Sequence, residues 1–402
     1  MSNKRIILVS QFINNFGTAF SRIALIILVT TWYKNAIYVG IYSFFLFIPQ
    51  VVLATPIGYL IDSRRDEKRL LLVSSFLAAL AILCVAAMDY FQVHSFVLLV
   101  ALAVVYSVIS DIYAPCITKV TVYLFDKSDF NDINASISGA MTAANLFSGI
   151  IVTYFISFLP FTALFLFDFV SYIVVMVLLM FLHIPPTNTA TDGVGATAAQ
   201  STSMWNSFKI VKDFLSMFPY IVPVYFSAIL FNILLAPMNV YLTQVAYQIF
   251  DNAKTTGLLE SFYSLGFLIG SLTYKFLCTK FPMSRLIQTS LLLVPVTLAI
   301  FGSAHSLPVA LLGLAGLGIV IPFFNISSKT IIQNKVPQAK LGVIFNSYFA
   351  LMNLSQPIGL LGIPVLIGVF GVTSVLLVGG AFYLIAAIML VLFNQISVEL
   401  NE

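Results

Sequence analysis

Apolar runs long enough to cross a membrane recur from one end of this chain to the other. A helix needs about 20 mostly apolar residues to span a hydrocarbon core about 30 Å thick. Such runs lie near 6–31, 38–61, 70–88, 96–118, 134–158 and 161–183, then near 219–243, 257–277, 285–303, 308–328, 342–369 and 372–393. In lipid each backbone N–H and C=O has to be paired within its own segment. The pattern therefore predicts an all-α integral membrane protein with twelve transmembrane helices. Composition agrees, with 60 % apolar and only 8 % charged residues, where a soluble surface needs roughly a quarter of the chain charged. The first run is too long for a signal-peptide core and has no small-residue cleavage pattern before the next polar break. It is read as a retained span.

Basic residues provide an independent check on the count, because Lys and Arg of short loops collect on the cytoplasmic side. With twelve spans and both termini cytoplasmic, the inside segments hold all but three of the 19 Lys and Arg. Lys34 and Lys254 fall outside, and Arg22 falls within a span. Adding or removing one span would scramble this alternation. The expected location is the plasma or inner membrane of the cell, multi-pass.

Several function classes are disfavoured by what the spans contain. Cys84, Cys116 and Cys278 sit in apolar stretches without metal-ligand spacing or a disulfide framework, and His94, His183 and His305 are scattered. No clustered His, Asp or Glu would serve an intramembrane enzyme or hold a metal. A phosphate-binding Gly-x-x-x-x-Gly-Lys-Ser/Thr loop is also missing, which argues against an ATP-driven pump. The reading is a non-enzymatic, cofactor-free transporter working as a monomer in the bilayer, with no nucleic-acid partner.

Residues 184–218 divide the chain into 1–183 and 219–402, each with six spans. The first part of this gap, Pro185 to Ser203, is rich in Thr, Ala, Gly and Ser, like a flexible linker. Met204 to Met217 reads either as an amphipathic helix on the cytoplasmic interface or as an extension of the seventh span. Short echoes relate the halves, as in parallel-repeat transporters. Pro115 to Lys119 in the fourth span resembles Pro322 to Lys329 in the tenth, and Asn145-Leu146 in the fifth matches Asn353-Leu354 in the eleventh.

The loop after the second span reads Gly58-Tyr59-Leu60-Ile61-Asp62-Ser63-Arg64-Arg65-Asp66-Glu67-Lys68-Arg69. It resembles the Gly-x-Leu-x-Asp-Arg-x-Gly-Arg-Lys loop of the major facilitator superfamily. The resemblance implies two six-helix bundles in the major facilitator fold. It also implies a cytoplasmic gating loop formed by Gly58, Asp62, Arg64, Arg65, Lys68 and Arg69, although these cations also suffice as topogenic charges. Further motifs run through both halves: Gln11 with Phe16-Gly17, Phe167 to Ser171, Glu260 with Gly266 and Gly270, and Gln356-Pro357-Ile358-Gly359. Together they resemble the drug-exporter branch that includes the macrolide-efflux proteins. The chain departs from that branch at Tyr106 and Val343, where arginine is usual, and at Ser148-Gly149, which lacks the antiporter proline.

Ionisable groups inside spans cost about 2.5–3.5 kcal/mol on insertion scales and mark functional positions. Arg22, Asp111, Asp168 and Glu260 are the candidates for proton or ion coupling. Arg22 and Asp168 are at similar depth and are expected to form an ion pair that fixes the first half. Asp111 either exchanges protons on the transport path or meets Lys119 or water near the interface. Glu260 either binds a proton or cation or simply complements its helix dipole. In the superfamily spans 1, 4, 7 and 10 line the cavity, so the resemblance points to Asn14, Asn15, Tyr106, Asn232, Asn239, Asn325 and Ser327 as substrate contacts. The function expected is proton-coupled efflux of an amphiphilic small molecule by alternating access. An importer or lipid-moving member of the same superfamily is the alternative, and a non-transporting receptor or scaffold is a remoter one.

Overall fold

A computed structural model describes residues 3–53, 56–57, 66–125, 130–182, 222–335 and 338–392. These form α1 (Asn3–Tyr33), α2 (Ala36–Val52), α3 (Glu67–Tyr90), α4 (Phe96–Leu124), α5 (Phe130–Phe155), α6 (Phe161–Met180), α7 (Val222–Leu235) and α8 (Met238–Gln248). After a short 3-10 turn, Ala253–Thr255, come α9 (Thr256–Leu277), α10 (Met283–Gly302), α11 (Leu307–Lys335), α12 (Gln338–Phe370) and α13 (Val372–Leu392). Among the described residues there is no strand, and nine helical segments are long and apolar enough to cross a membrane, with shorter apolar helices at Ala36–Val52 and Gly139–Phe155. The seventh run divides into α7 and α8 at Ala236-Pro237 because Pro237 brings no N–H and its ring crowds the preceding turn. Gly359 of α12 lies against this break: a Cβ there would meet Ile233 O, the carbonyl that an N–H at 237 would otherwise engage. The linker 184–218 and the loop residues Gly58, Asp62, Arg64 and Arg65 are outside the described residues.

Helix starts follow local chemistry. Asn35 caps α2 by accepting from Ile37 N at 2.9 Å, and Asp66 caps α3 by accepting from Arg69 N at 2.9 Å. α6 begins after Pro160, which offers no side-chain cap, and a residue from another helix fills the role. Asp89, near the end of α3, accepts from Thr162 N at 2.8 Å and Thr162 Oγ1 at 2.6 Å. The tight junction between α12 and α13 turns on Gly371 at φ +78, a left-handed conformation that side chains rarely adopt. Gln248 Oε1 then accepts from Val372 N at 3.1 Å and caps α13.

The chain groups into two compact units. The first comprises Met1–Pro185 with Met238–Ser264 and Pro364–Val372. Within it α1 packs on α5 and α6, α3 packs on α4 and α6, α2 packs on α4, and α8 rests on α1 and α2. A cluster including Ile7, Leu71, Cys116, Val120 and Leu179 ties α1, α3, α4 and α6 together at one end. The opposite edge of α3 shows Val73, Phe76, Leu77 and Leu80 exposed at helical spacing, while Ser74, Ser75 and Ala78 are buried. Small and polar residues turn inward and large apolar ones outward, as a lipid-facing helix requires. The second unit comprises Pro186–Pro237, Leu265–Ile363 and Thr373–Glu402. There α10 packs along α11, and Gly266 and Gly270 bring α9 against the Ala315 and Ile319 carbonyls of α11.

Candidate functional site

Arg22 and Asp168 do not form the pair expected from sequence. Arg22 instead contacts Asn239 of α8 and Glu260 of α9, two residues that lie with it in the first unit. Its Nη2 lies 2.5 Å from Glu260 Oε1, and its Nη1 donates to Asn239 Oδ1 at 3.3 Å. The physical reason is helical phase. Ser21 points at α6, and the next residue is rotated by about 100°, which carries the guanidinium around α1 to α8 and α9. The pair is unevenly buried, with the Arg22 side chain 33 % exposed and Glu260 9 %. Close backbone packing supports the same region: a Cβ at Gly257 would meet Gly149 O, and Ser261 Oγ donates to Leu146 O at 2.9 Å.

Asp168 is fully buried and has hydroxyl donors in place of a cation. Ser21 Oγ donates to its Oδ2, and the Ser171 hydroxyl is shared between its Oδ1 at 2.8 Å and the Asp168 backbone carbonyl at 2.7 Å. Gly17, one turn before Ser21, leaves the space these groups occupy, because a Cβ there would meet Asp168 Oδ1 and Ser171 Oγ. One turn along α6, Tyr172 continues the polar layer with its hydroxyl 2.7 Å from Tyr106 Oη and 3.3 Å from Thr18 Oγ1. Tyr106, where the drug-exporter pattern has arginine, thus takes part in a chain of uncharged hydroxyls.

Beside this layer lies a partly open cavity of about 290 Å³, lined by residues of the first unit. From α1 it is lined by Gln11, Asn14, Asn15 and Thr18, and from α3 by Ser74 and Ser75. From α4 come Ser110, Tyr113 and Thr118, and Tyr172 comes from α6. Ile109, Ile117, Ile137, Met141 and Ala78 fill the apolar remainder. No lining residue carries a charge among the described residues. Asn14 and Asn15 were singled out by sequence, whereas Gln11 was noted only as part of a motif. Ser74, Ser75, Tyr113 and Tyr172 were missed. Polar residues within an apolar run were the available signal, but Ser and Tyr are too common in spans to be decisive.

The other expected residues are dispersed. Asp111 of α4 has a buried Oδ2 without a hydrogen-bond partner, and Lys119 is engaged by Glu67 at 3.0 Å, so the expected Lys119 alternative for Asp111 is not what forms. Asn232 donates to Ala228 O at 3.0 Å and accepts from Gln356 Nε2 at 3.5 Å. Ser327 is buried with its hydroxyl 3.3 Å from Tyr274 Oη, and Asn325 is half-buried in α11. These three belong to the second unit. Lys68 donates to Met180 O at 2.7 Å and Leu182 O at 2.9 Å, placing a cation at the C-terminal end of α6. Arg69 contributes its backbone N–H to the Asp66 cap.

Comparison with known proteins completes the picture. The chain is 19 % identical over 391 residues to macrolide efflux protein A of Streptococcus pyogenes, covering 96 % of this chain and 94 % of that protein. Its fold is similar to the nucleoside transporter NupG, with a TM-score of 0.80, 13 % identity and coverage of 99 % of this chain and 100 % of the other. A bacterial homologue of the iron transporter ferroportin in an inward-facing state gives a TM-score of 0.76 at 16 % identity, covering 99 % and 100 %. The D-xylose–proton symporter gives 0.72 at 14 % identity, covering 96 % of each chain. The family model of the Major Facilitator Superfamily matches residues 7–253, more than half of the sequence. On that match, with an all-helical fold shared with transporters of the superfamily, the chain belongs to the Major Facilitator Superfamily.

Proposed function

We propose that this protein is a proton-coupled secondary exporter of a small organic molecule in the cell membrane. Twelve spans with cytoplasmic termini form two six-helix bodies, 1–183 and 219–402, that rock about the linker 184–218. The observation that carries the reading is the polar cavity inside an otherwise apolar bundle. A chain that only scaffolds a membrane complex gains nothing from gathering so many amides and hydroxyls around one space.

Arg22, Asn239 and Glu260 link segments from the two sequence halves, and this contact would have to break and re-form as access alternates. Asp111 and Asp168 supply carboxylates that have no cation partner among the described residues, which supports the proton as coupling ion. One charge crossing 100 mV provides about 2.3 kcal/mol, before any contribution from the pH difference. Export is supported by the macrolide efflux relative, whose likeness runs through 96 % of this chain. Import is the second reading, favoured by the similar fold of the D-xylose–proton symporter.

Proteoliposomes with an imposed pH gradient test the coupling. Cargo accumulation should disappear when the gradient is collapsed and fall at least tenfold in Asp111→Asn or Asp168→Asn protein. Accumulation unchanged by all three treatments would rule out proton coupling. Accumulation only when the gradient is reversed relative to the expected orientation would establish the import reading.

A further inference from the structure

The cavity in the first unit has a definite hydrogen-bonding character, and it is set by what its own residues already use. Asn15 Nδ2 donates to the Gln11 backbone carbonyl at 2.7 Å and to Gln11 Oε1 at 3.1 Å. A carbonyl can only accept, so this contact fixes the Asn15 amide and, through it, the Gln11 amide. Gln11 Nε2 is left to donate and Asn15 Oδ1 to accept. Ser74 and Ser75 both spend their protons on Leu71 O, at 3.0 and 2.8 Å, and so offer only lone pairs to the cavity. Asn14 has a complete amide to spare. Tyr113 is 6 % exposed, and its buried hydroxyl has no partner.

A buried polar group left unmatched costs about 1–3 kcal/mol, and the Tyr113 hydroxyl is such a group at the wall of this space. The amide and hydroxyl atoms open to the space pair with water or with a ligand that fills it. No lining cation or carboxylate among the described residues balances a charged guest. At about 290 Å³ the space is at the low end of the roughly 300–1,000 Å³ typical of small-molecule sites. A compact solute with several N–H, O–H and carbonyl or ether groups fits within it.

We propose that this cavity binds an uncharged, multiply hydrogen-bonding solute of sugar or glycoside size, rather than a cationic amphiphile. As cargo, this ligand rests on the transporter reading above; as a bound molecule, it does not. The donors Gln11 and Asn14 face its oxygen acceptors, and the Ser74, Ser75 and Asn15 oxygens face its hydroxyl or N–H groups. Tyr113 does either.

The test uses the full chain in lipid nanodiscs, with D-glucose, N-acetylglucosamine and uridine as neutral probes and tetraphenylphosphonium as the cationic one. Saturable binding of at least one neutral probe is expected, without displacement by tetraphenylphosphonium. Tyr113→Phe and Asn14→Leu should each weaken that binding about three- to tenfold. Tyr113→Phe removes only an unpartnered hydroxyl, so its unfolding temperature without ligand should be no lower than that of the parent. Binding by none of the neutral probes, binding insensitive to both variants, or displacement by the cation would each overturn the proposal. Counterflow in proteoliposomes separates the two levels. Neutral-probe binding without counterflow of any probe defeats the transporter reading and leaves the site. Counterflow of tetraphenylphosphonium with no neutral binding defeats the site and leaves the transporter.

Discussion

Removing Arg22 should cost far more than removing the charge of its partner. The two side chains meet at 2.5 Å, but Glu260 is 9 % exposed and Arg22 33 %. Breaking a buried pair from one side costs about 3–5 kcal/mol because the survivor keeps an uncompensated charge. In Arg22→Met the survivor is the buried carboxylate, and water reaching the vacated position lowers the cost to about 3 kcal/mol. In Glu260→Gln the survivor is a guanidinium one-third open to its surroundings. It keeps the Asn239 oxygen at 3.3 Å and gains the amide oxygen of the new side chain, so about 1 kcal/mol is expected. The double variant has no orphaned charge and should lose much less than the two singles together, with a coupling energy of about 2 kcal/mol. Equilibrium unfolding by SDS in mixed micelles can measure these values, with labelling of the buried Cys116 thiol as reporter after Cys84→Ser and Cys278→Ser. Glu260→Gln costing more than Arg22→Met, or strict additivity in the double variant, would refute the reasoning. A parallel cycle of Arg22→Met with Asp168→Leu should show coupling below about 0.5 kcal/mol, because Asp168 is held by Ser21 and Ser171 instead.

Three further outcomes follow from close contacts. Gly17→Val drives a branched side chain into Asp168 Oδ1 and Ser171 Oγ and should destabilise the protein by about 1–3 kcal/mol in the same unfolding assay. Gly257→Leu meets the Gly149 backbone, which cannot yield as a flexible side chain can, so transport in proteoliposomes should fall by at least tenfold while the helices, read by circular dichroism, persist. Asp89→Ala strips both Thr162 hydrogen bonds from the start of α6 and should cost about 1–2 kcal/mol, with Asp89→Asn retaining roughly half of that.

Much of the helical framework was legible because its cause is one-dimensional: span-length apolar runs lie in consecutive residues, whereas α6 and α13 take their caps from Asp89 and Gln248 of other helices. The break at Ala236-Pro237 was written in the sequence too, yet a single proline inside an apolar run does not say whether the helix bends or stops. Partner choice was less legible. Arg22 and Asp168 match in depth, but depth is only one coordinate of a side chain on a helix. The azimuth around α1 decides the partner, and Gly17 and Ser21 had already claimed the α6 side for Asp168. Glu260 was recognised as an acid within a span, but nothing in its neighbours pointed to a cation 238 positions away. The cavity was half visible. Asn14 and Asn15 stand out as amides within an apolar run, whereas Ser74, Ser75 and Tyr113 become distinctive only when α3 and α4 turn them toward α1.

Tyr106 links the departure from the drug-exporter pattern to the chemistry of the cavity. Its side chain is buried, its hydroxyl is 2.7 Å from Tyr172 Oη, and Tyr172 in turn lines the cavity. An arginine at 106 would put a guanidinium where the present layer has hydroxyls, and it would give the cavity wall a nearby cation. The protein around it is built for the uncharged state, since Ser21 and Ser171 already occupy the Asp168 oxygens that would answer such a charge. Desolvating an ion costs several kcal/mol even after relaxation. Tyr106→Arg is therefore expected to lose at least 3 kcal/mol of stability, whereas Tyr106→Phe, which gives up one hydrogen bond, should lose about 1 kcal/mol. If Asp168 were instead free to receive the cation, Tyr106→Arg would unfold no more readily than the parent, and only Tyr106→Arg combined with Asp168→Asn would fail. SDS unfolding of the three variants decides between these cases. A stable Tyr106→Arg protein would mean that the first unit tolerates charge beside its cavity, and the argument for a neutral guest would lose its electrostatic basis.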